Sequence, residues 1–265
     1  MRFGILGDIH GNIYALNACL KYIDKMNIDE IIWCGDYITD FPKSHEVINL
    51  IKEYSNKYKS YIIAGNREDY IIEYLENKHS DWNSNIRFEN MIYTYNSLTS
   101  EDIQWLKSLP KTLQINFEDY NIYVSHKCTY ENIDKCKYKI FAHSHKQCNF
   151  RRDDVKYINP GSVGINTDKI VGAEFSILEL TKDYEKLEEC YIKYDIKEAV
   201  NAMENNNLYK QGSQYGKLIV KELKTGIDYP QDYILEYNKI RREHHIENES
   251  DEVWNIALNN IVNNM

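Results

Sequence analysis

The chain has 265 residues, 43% hydrophobic and 28% charged, enough to bury a substantial core in one globular domain with an appendage. A formal charge of -9 argues against a binder of nucleic-acid polymers, but leaves a small nucleotide open because bound cations invert the local field. No apolar run is long enough to span a membrane, no signal peptide precedes the first strand, and the six cysteines form no CxxC pair, so a cytoplasmic protein with reduced, mostly buried thiols is expected.

Phe3 to Leu6 reads as a short buried strand, and it runs into Gly7-Asp8-Ile9-His10-Gly11-Asn12. Asn12 is a suitable N-cap, and Ile13, Leu16, Leu20, Ile23 and Met26 follow at helical spacing. Ile31 to Cys34 is a second strand, so the opening is β-α-β and a right-handed crossover makes the strands parallel. Gly35-Asp36 then emerges at the same sheet edge as Asp8. Pro42 and Ser44 open a helix with Val47, Ile48, Ile51 and Tyr54 on one face. Tyr61 to Ala64 is a third strand, ending in Gly65-Asn66-Arg67. Three successive strands thus end in glycine and a metal-compatible side chain, at the carboxyl edge where open α/β sheets place ligands. One such ending reads equally well as a turn glycine and a helix cap. Three in a row do not.

Residues 67–109 read as helices, carried by Tyr70, Ile71, Tyr74 and Leu75, by Ile86, Met91, Ile92 and Tyr95, and by a capping-box start at Thr99-x-x-Asp102, with Pro110 as the stop. This segment either overhangs the sheet edge as a cap or covers one face of the sheet. Leu113 to Phe117 and Asn121 to Ser125 form a hairpin that leads into His126. Tyr138 to Ala142 is a strand ending in His143-Ser144-His145, and Val155 to Ile158 runs into the turn Asn159-Pro160-Gly161-Ser162. Ala173 to Leu180 and Glu189 to Tyr194 complete the β material. From Ile196 the pattern is helical and polar, with Pro230 and Ser250 opening helices, so residues 196–265 are expected to form a helical appendage on a domain of residues 1–195.

Asp8, His10, Asp36, Asn66, His126, His143 and His145 all follow apolar runs. Their donors are oxygen and imidazole nitrogen without thiolate, a set suited to manganese, iron, zinc, cobalt or nickel rather than to a structural zinc site or a calcium cage. Seven ligands are too many for one catalytic ion that keeps open positions, and suit two ions about 3.5–4 Å apart sharing a carboxylate. His45, His79, His244 and His245 lie in polar helical surroundings and are expected to be solvated. Cys128 is expected to pack, Ser162 to form the turn, and Asn159 to brace it.

This ordered set resembles the calcineurin-like metallophosphoesterase superfamily in its small bacterial and archaeal branch, over roughly the first 195 residues. The matching pieces are Asp8/His10 of GDxHGN, Gly35-Asp36, Gly65-Asn66, the lone His126, His143/His145 of GHxH, and Asn159-Pro160-Gly161-Ser162. The resemblance implies an α/β fold, a four-layer α-β-β-α sandwich, here with a helical C-terminal appendage. It implies one ion on Asp8, His10, Asp36 and His145 and a second on Asp36, Asn66, His126 and His143, with Asp36 bridging and manganese the first expectation. It further implies a metal-dependent phosphoesterase in which a hydroxide bridging the ions attacks phosphorus in line. The expected catalytic set is Asp36, Asn66 and Arg67, with Asn66 and Arg67 also contacting substrate.

Two positions depart from the family pattern. Ala142 replaces the first glycine of GHxH, a mild change. Arg67 stands where many members have the histidine of GNH, which helps protonate the leaving group. An arginine grips phosphate oxygens but is a poor general acid. The expected substrate is therefore a small phosphorylated molecule, a nucleotide anhydride such as diadenosine tetraphosphate ahead of an ordinary alkyl monoester. The chain resembles bacterial diadenosine tetraphosphate hydrolases in size and in its helical tail. Two alternatives stand beside this: a serine/threonine protein phosphatase, and a scaffold that kept the fold without catalysis. The oligomeric state and any general acid have no signal in the residues.

Overall fold

The computed structural model describes residues 1–78, 88–133, 136–210, 213–248 and 250–263. His79 and Ile86 lie outside the described residues. Strand β1 (Arg2–Leu6) divides its side chains between two cores: Phe3 and Ile5 enter the apolar layer between two sheets, and Leu6 joins the layer beneath helix α1 (Ile13–Ile23). The chain continues through β2 (Glu30–Trp33), α2 (Ser44–Lys57) and β3 (Lys59–Ile62) to three helices, α3 (Asn66–Leu75), α4 (Glu89–Ser97) and α5 (Ser100–Ser108). The second half holds β4 (Thr112–Phe117), β5 (Tyr120–Ser125), β6 (Tyr138–Ile140), β7 (Cys148–Arg152), β8 (Val155–Asn159), β9 (Ala173–Leu180) and β10 (Glu185–Ile192). Five helices follow: α6 (Ile196–Asn205), the short α7 (Asn207–Lys210), α8 (Gln214–Thr225), α9 (Tyr229–Glu243) and α10 (Asp251–Asn263).

Two mixed five-stranded sheets, β10-β9-β1-β2-β3 and β4-β5-β6-β8-β7, are flanked by helices. In each sheet three adjacent strands run parallel, β1-β2-β3 in the first and β5-β6-β8 in the second. Leu6 pairs in register with Trp33 and Trp33 with Ile62; in the other sheet Val124 pairs with Ile140 and Ile140 with Ile158. Such registers bring the carboxyl ends of neighbouring strands out at one level, which is what positions the site. Ile32, Ile122, Val124, Ile140 and Ile158 fill the inter-sheet core. Leu16, Val47 and Ile51 of α1 and α2 cover the outer face of the first sheet, and Ile71, Met91 and Leu106 of α3–α5 join the same core. The C-terminal helices build two further clusters. Ala199, Met203 and Ile219 pack on Phe41 and Ile165, while Leu218, Tyr233 and Trp254 knit α8, α9 and α10 together. Helix α8 belongs to both clusters and ends at Gly226, whose φ of +66° supplies the left-handed stop. No described helix is long and apolar enough to cross a membrane.

The structure adjusts several sequence expectations. Strand β3 runs Lys59–Ile62, earlier than Tyr61 to Ala64, because the Ala64 N–H leaves the ladder for the Pro110 carbonyl at 2.8 Å. The hairpin turn narrows to Glu118-Asp119, with Glu118 at φ +48°. Strand β7 had no sequence signal, since four of its five residues are exposed and it pairs only with β8. Cys128 is exposed rather than packed. His45 is not simply solvated: its Nδ1 lies 2.7 Å from Asp102 Oδ2, the carboxylate that also accepts the Thr99 N–H at the start of α5. His244 and His245 are exposed.

Candidate metal centre

All seven expected side chains come together where the two sheets' carboxyl edges meet. The edges touch directly, the His143 N–H donating to Asp8 Oδ1 at 3.2 Å. Two groups form. Asp8, His10 and His145 each place a ligand atom within 4.8 Å of the other two, and so do Asp36, His126 and His143. In the first, His10 Nε2 and His145 Nε2 are 3.1 Å apart. In the second, His126 Nε2 lies 3.0 Å from Asn66 Oδ1 and 3.4 Å from Asp36 Oδ2. Asp36 Oδ2 is also 3.9 Å from His10 Nε2, so a single carboxylate stands between the groups.

The donor chemistry fits cations. Asp8 is fully buried and its Oδ2 has no hydrogen-bond partner among the described residues. Burial pushes its carboxyl up to about 7, with Asp36 adding to the rise and the nearby histidines opposing it. A buried carboxylate with one oxygen unsatisfied is costly unless a cation meets it. The histidine tautomers point the same way. His126 Nδ1 sits 2.8 Å from the Cys34 carbonyl, which only accepts, so Nδ1 carries a proton and Nε2 is the ring atom that faces the centre. Burial would lower His126, but the Asp36 carboxylate beside it raises it to about 9. Burial and the neighbouring His126 lower His143 to about 4. His10 Nδ1 lies 2.9 Å from Asp40 Oδ2, and its Nε2 faces His145 Nε2.

The backbone holds these groups in uncommon geometry. Asp8, His10, Asp36, His143 and His145 all have φ between +50° and +69°. Left-handed backbone at non-glycine residues costs energy and clusters at functional sites, where surrounding structure enforces it. Here the two loops after β2 and β3 lie in contact. A Cβ on Gly35 would come 2.5 Å from the Gly65 nitrogen, and one on Gly65 would collide with Asp36 Oδ1, so both positions require glycine.

Glu68 clamps the same two loops. Its buried carboxylate accepts the N–H groups of Gly65 at 2.7 Å, Asp36 at 2.9 Å and Tyr37 at 2.8 Å. Glu68→Ala is expected to destabilise the fold by about 3 kcal/mol, because three donors lose a charged acceptor. It should also lower metal uptake by displacing Asp36. Urea denaturation and metal analysis check both, and Glu68→Gln, which keeps one acceptor oxygen, should recover part of each. Behind the first strand, Ser162 Oγ donates to the Asp8 carbonyl at 2.8 Å and accepts the Ile165 N–H. Asn159 Nδ2 donates to the Ala142 carbonyl and to Ser144 Oγ, both at 3.0 Å, bracing the turn that carries His143 and His145.

A cavity of about 560 Å³ opens on this centre. Asn66, Arg67, His143 and His145 line its floor, while Tyr215 and Ile219 of α8 and Tyr233 of α9 line its roof. Arg67 spans the two. Its guanidinium is 3.4 Å from Asp40 Oδ2 and its charge acts on Tyr215, and its buried Nε has no partner among the described residues. The site therefore has three contributors that sequence reasoning missed. Glu68 had a weak signal as the third helical residue after Gly65. Asp40 and Tyr215 had none, since neither follows a strand end.

The comparisons with known proteins bear on this geometry. Residues 1–183 match the model of the calcineurin-like phosphoesterase superfamily domain. An uncharacterized protein of Methanocaldococcus jannaschii is 27% identical over 233 residues, covering 77% of this chain and 92% of that one. Among solved structures, a metallophosphoesterase from Sphaerobacter thermophilus aligns with TM-score 0.66 at 22% identity, covering 86% of this chain and 100% of its own. A hypothetical protein from Pyrococcus horikoshii OT3 aligns with TM-score 0.68 at 18% identity, covering 85% of this chain and 98% of its own. Both likenesses reach further along the chain than the family model, so the fold match includes part of the C-terminal helices. With two mixed sheets meeting at a nitrogen- and oxygen-rich centre, and a family match over most of its length, the chain belongs to the calcineurin-like phosphoesterase superfamily.

Proposed function

We propose that the protein is a phosphoesterase acting on a small phosphorylated substrate with two metal ions. One ion would be held by Asp8, His10 and His145, the other by Asn66, His126 and His143, with Asp36 shared between them. The observation that carries this reading is the position of Asp36, whose Oδ2 lies within 3.9 Å of a histidine from each group. The superfamily is metal-dependent, and the nitrogen and oxygen donors suit manganese first, with iron, zinc, cobalt or nickel as alternatives. When bound, such ions would supply an activated water nucleophile and neutralise charge on the phosphoryl oxygens.

The chain's own residues supply the rest. The Cys34 carbonyl holds the His126 ring in its working tautomer, and the Asp40 carboxylate faces the His10 ring at 2.9 Å. The roofed cavity supports a small substrate over the surface of a phosphoprotein, since 560 Å³ lies within the usual range of small-molecule sites. Arg67 is already oriented by Asp40 and Tyr215, so it can meet a phosphate without losing much side-chain freedom. It does not supply a proton, and this supports nucleotide anhydrides, whose leaving phosphate needs little protonation, over alkyl monoesters. The test is turnover with added manganese on dinucleoside polyphosphates, cyclic nucleotides, an activated diester and a phosphopeptide. Activity confined to the phosphopeptide, or absent throughout in metal-loaded protein, overturns the reading.

Arg67→Ala should lower kcat/KM at least about tenfold more for a dinucleoside polyphosphate than for bis-p-nitrophenyl phosphate, as expected for loss of a charged hydrogen bond to the longer phosphate chain. Equal losses on both substrates remove Arg67 from substrate binding.

A further inference from the structure

Helix α8 buries a glutamate in the roof of the cavity. Tyr215, Ile219 and Glu222 fall at i, i+4 and i+7, one face of the helix, and all three line the cavity. Leu218 on another face enters the core shared with α9 and α10. Glu222 is only 3% exposed, and it lines the same cavity as Arg67, whose charge favours its ionised form. Glutamate is almost never this buried without a partner. The other acidic groups of the cavity are occupied: Asp40 faces Arg67 and His10, and Asp228 Oδ1 accepts the Gln231 N–H to cap α9. Burial, with Asp228 and Asp40 nearby, raises Glu222 well above the usual carboxylate range and the charge of Arg67 opposes the rise, so a further positively polarised group in the cavity would favour its ionised form.

We propose that Glu222 is a specificity-determining residue that accepts N–H donors from the non-reacting end of the substrate. This rests on the phosphoesterase reading above. The phosphate end of the ligand belongs at the floor, beside Arg67 and the histidines. Glu222 shares the lining of the cavity with the rings of Tyr215, Phe88 and Tyr70. Aromatic faces with one acidic acceptor suit a flat nitrogenous base or an alkylammonium group, and disfavour an anionic or purely aliphatic one. The shared chemistry is a positively polarised N–H group, and two sources present it: a nucleobase amine and an aminoalkyl phosphate.

The test is binding to the manganese-loaded full chain by calorimetry, using matched pairs. Guanosine 5′-monophosphate is compared with ribose 5-phosphate, and 2-aminoethylphosphonate with ethylphosphonate. In at least one pair the N–H-bearing member should bind about tenfold tighter or more, the scale of a hydrogen bond to a charged group. Glu222→Met, which keeps the length of the side chain and removes the acceptor, should reduce that preference to within about twofold and leave the amine-free member unchanged. Glu222→Gln provides a second variant that keeps an acceptor oxygen, and should show an intermediate preference. The pair that loses its preference identifies the source. Absence of preference in both pairs for the unaltered protein, or a preference that survives Glu222→Met, overturns the proposal. Hydrolysis of bis-p-nitrophenyl phosphate, which carries no N–H donor, is measured in parallel. Its absence in the unaltered protein counts against the phosphoesterase reading, whereas its retention in Glu222→Met with no change in the binding pairs counts against Glu222 alone.

Discussion

Asp36→Asn is expected to lower turnover by about a thousandfold or more and to reduce metal content at both groups. The reason is geometric. Asp36 Oδ2 lies 3.4 Å from His126 Nε2 and 3.9 Å from His10 Nε2, so the same charge serves two sets of nitrogens. The proximity of those histidines holds its carboxyl well below the usual range against the opposing effect of burial, so it is ionised in the folded protein. An amide keeps the shape but loses the charge that would offset two cations. The fold should survive, because the other oxygen, Oδ1, only accepts the Arg67 N–H at 2.8 Å. Metal analysis after dialysis, kcat on an activated diester and circular dichroism measure the three quantities. A folded variant with full metal content and near-normal turnover contradicts the shared-carboxylate assignment.

Single-histidine variants should separate the two groups. His126→Ala and His143→Ala are expected to empty one position, and His10→Ala and His145→Ala the other. Loss of residues that merely orient a ligand costs about 10–100-fold in metal affinity, so loss of the ligand itself should cost at least about a hundredfold. The partition follows from the two clusters of ligand atoms, each within 4.8 Å. Anomalous scattering from crystals of each variant soaked in manganese reads which position is lost. Loss of the same position in all four variants would show that the clusters act as one site.

How much of this was legible in the residues depends on the range of the interaction concerned. The strand-end pattern is local: an apolar run, a glycine, then a polar ligand. Such a pattern is written in consecutive residues, so Asp8, Asp36, Asn66, His126 and His143 could be named from the sequence and are found where the carboxyl edges of the two sheets meet. The α1 cap at Asn12 and the α5 box at Thr99 are local in the same way, each closed by a hydrogen bond three residues away. Strand β7 was not legible, because an exposed edge strand needs no apolar alternation and acquires its conformation only by pairing with β8.

The supporting residues lie beyond sequence reasoning for a different reason. Glu68 acts on backbone N–H groups 31 and 32 residues away, Asp40 on a ring thirty residues before it, and Tyr215 on an arginine from the other end of the chain. No periodicity encodes such pairs. They exist because parallel strand registers and helix packing bring distant loops within hydrogen-bonding range. The sequence by itself determined which atoms are available to bind metal and phosphate, since that is a matter of side-chain chemistry after each strand. The tertiary structure decided that α8 and α9 are the helices that roof the centre and that the buried Glu222 lines the cavity there. That arrangement follows from the packing of Ala199, Met203 and Ile219 on Phe41 and Ile165, apolar contacts that many helical sequences satisfy equally well.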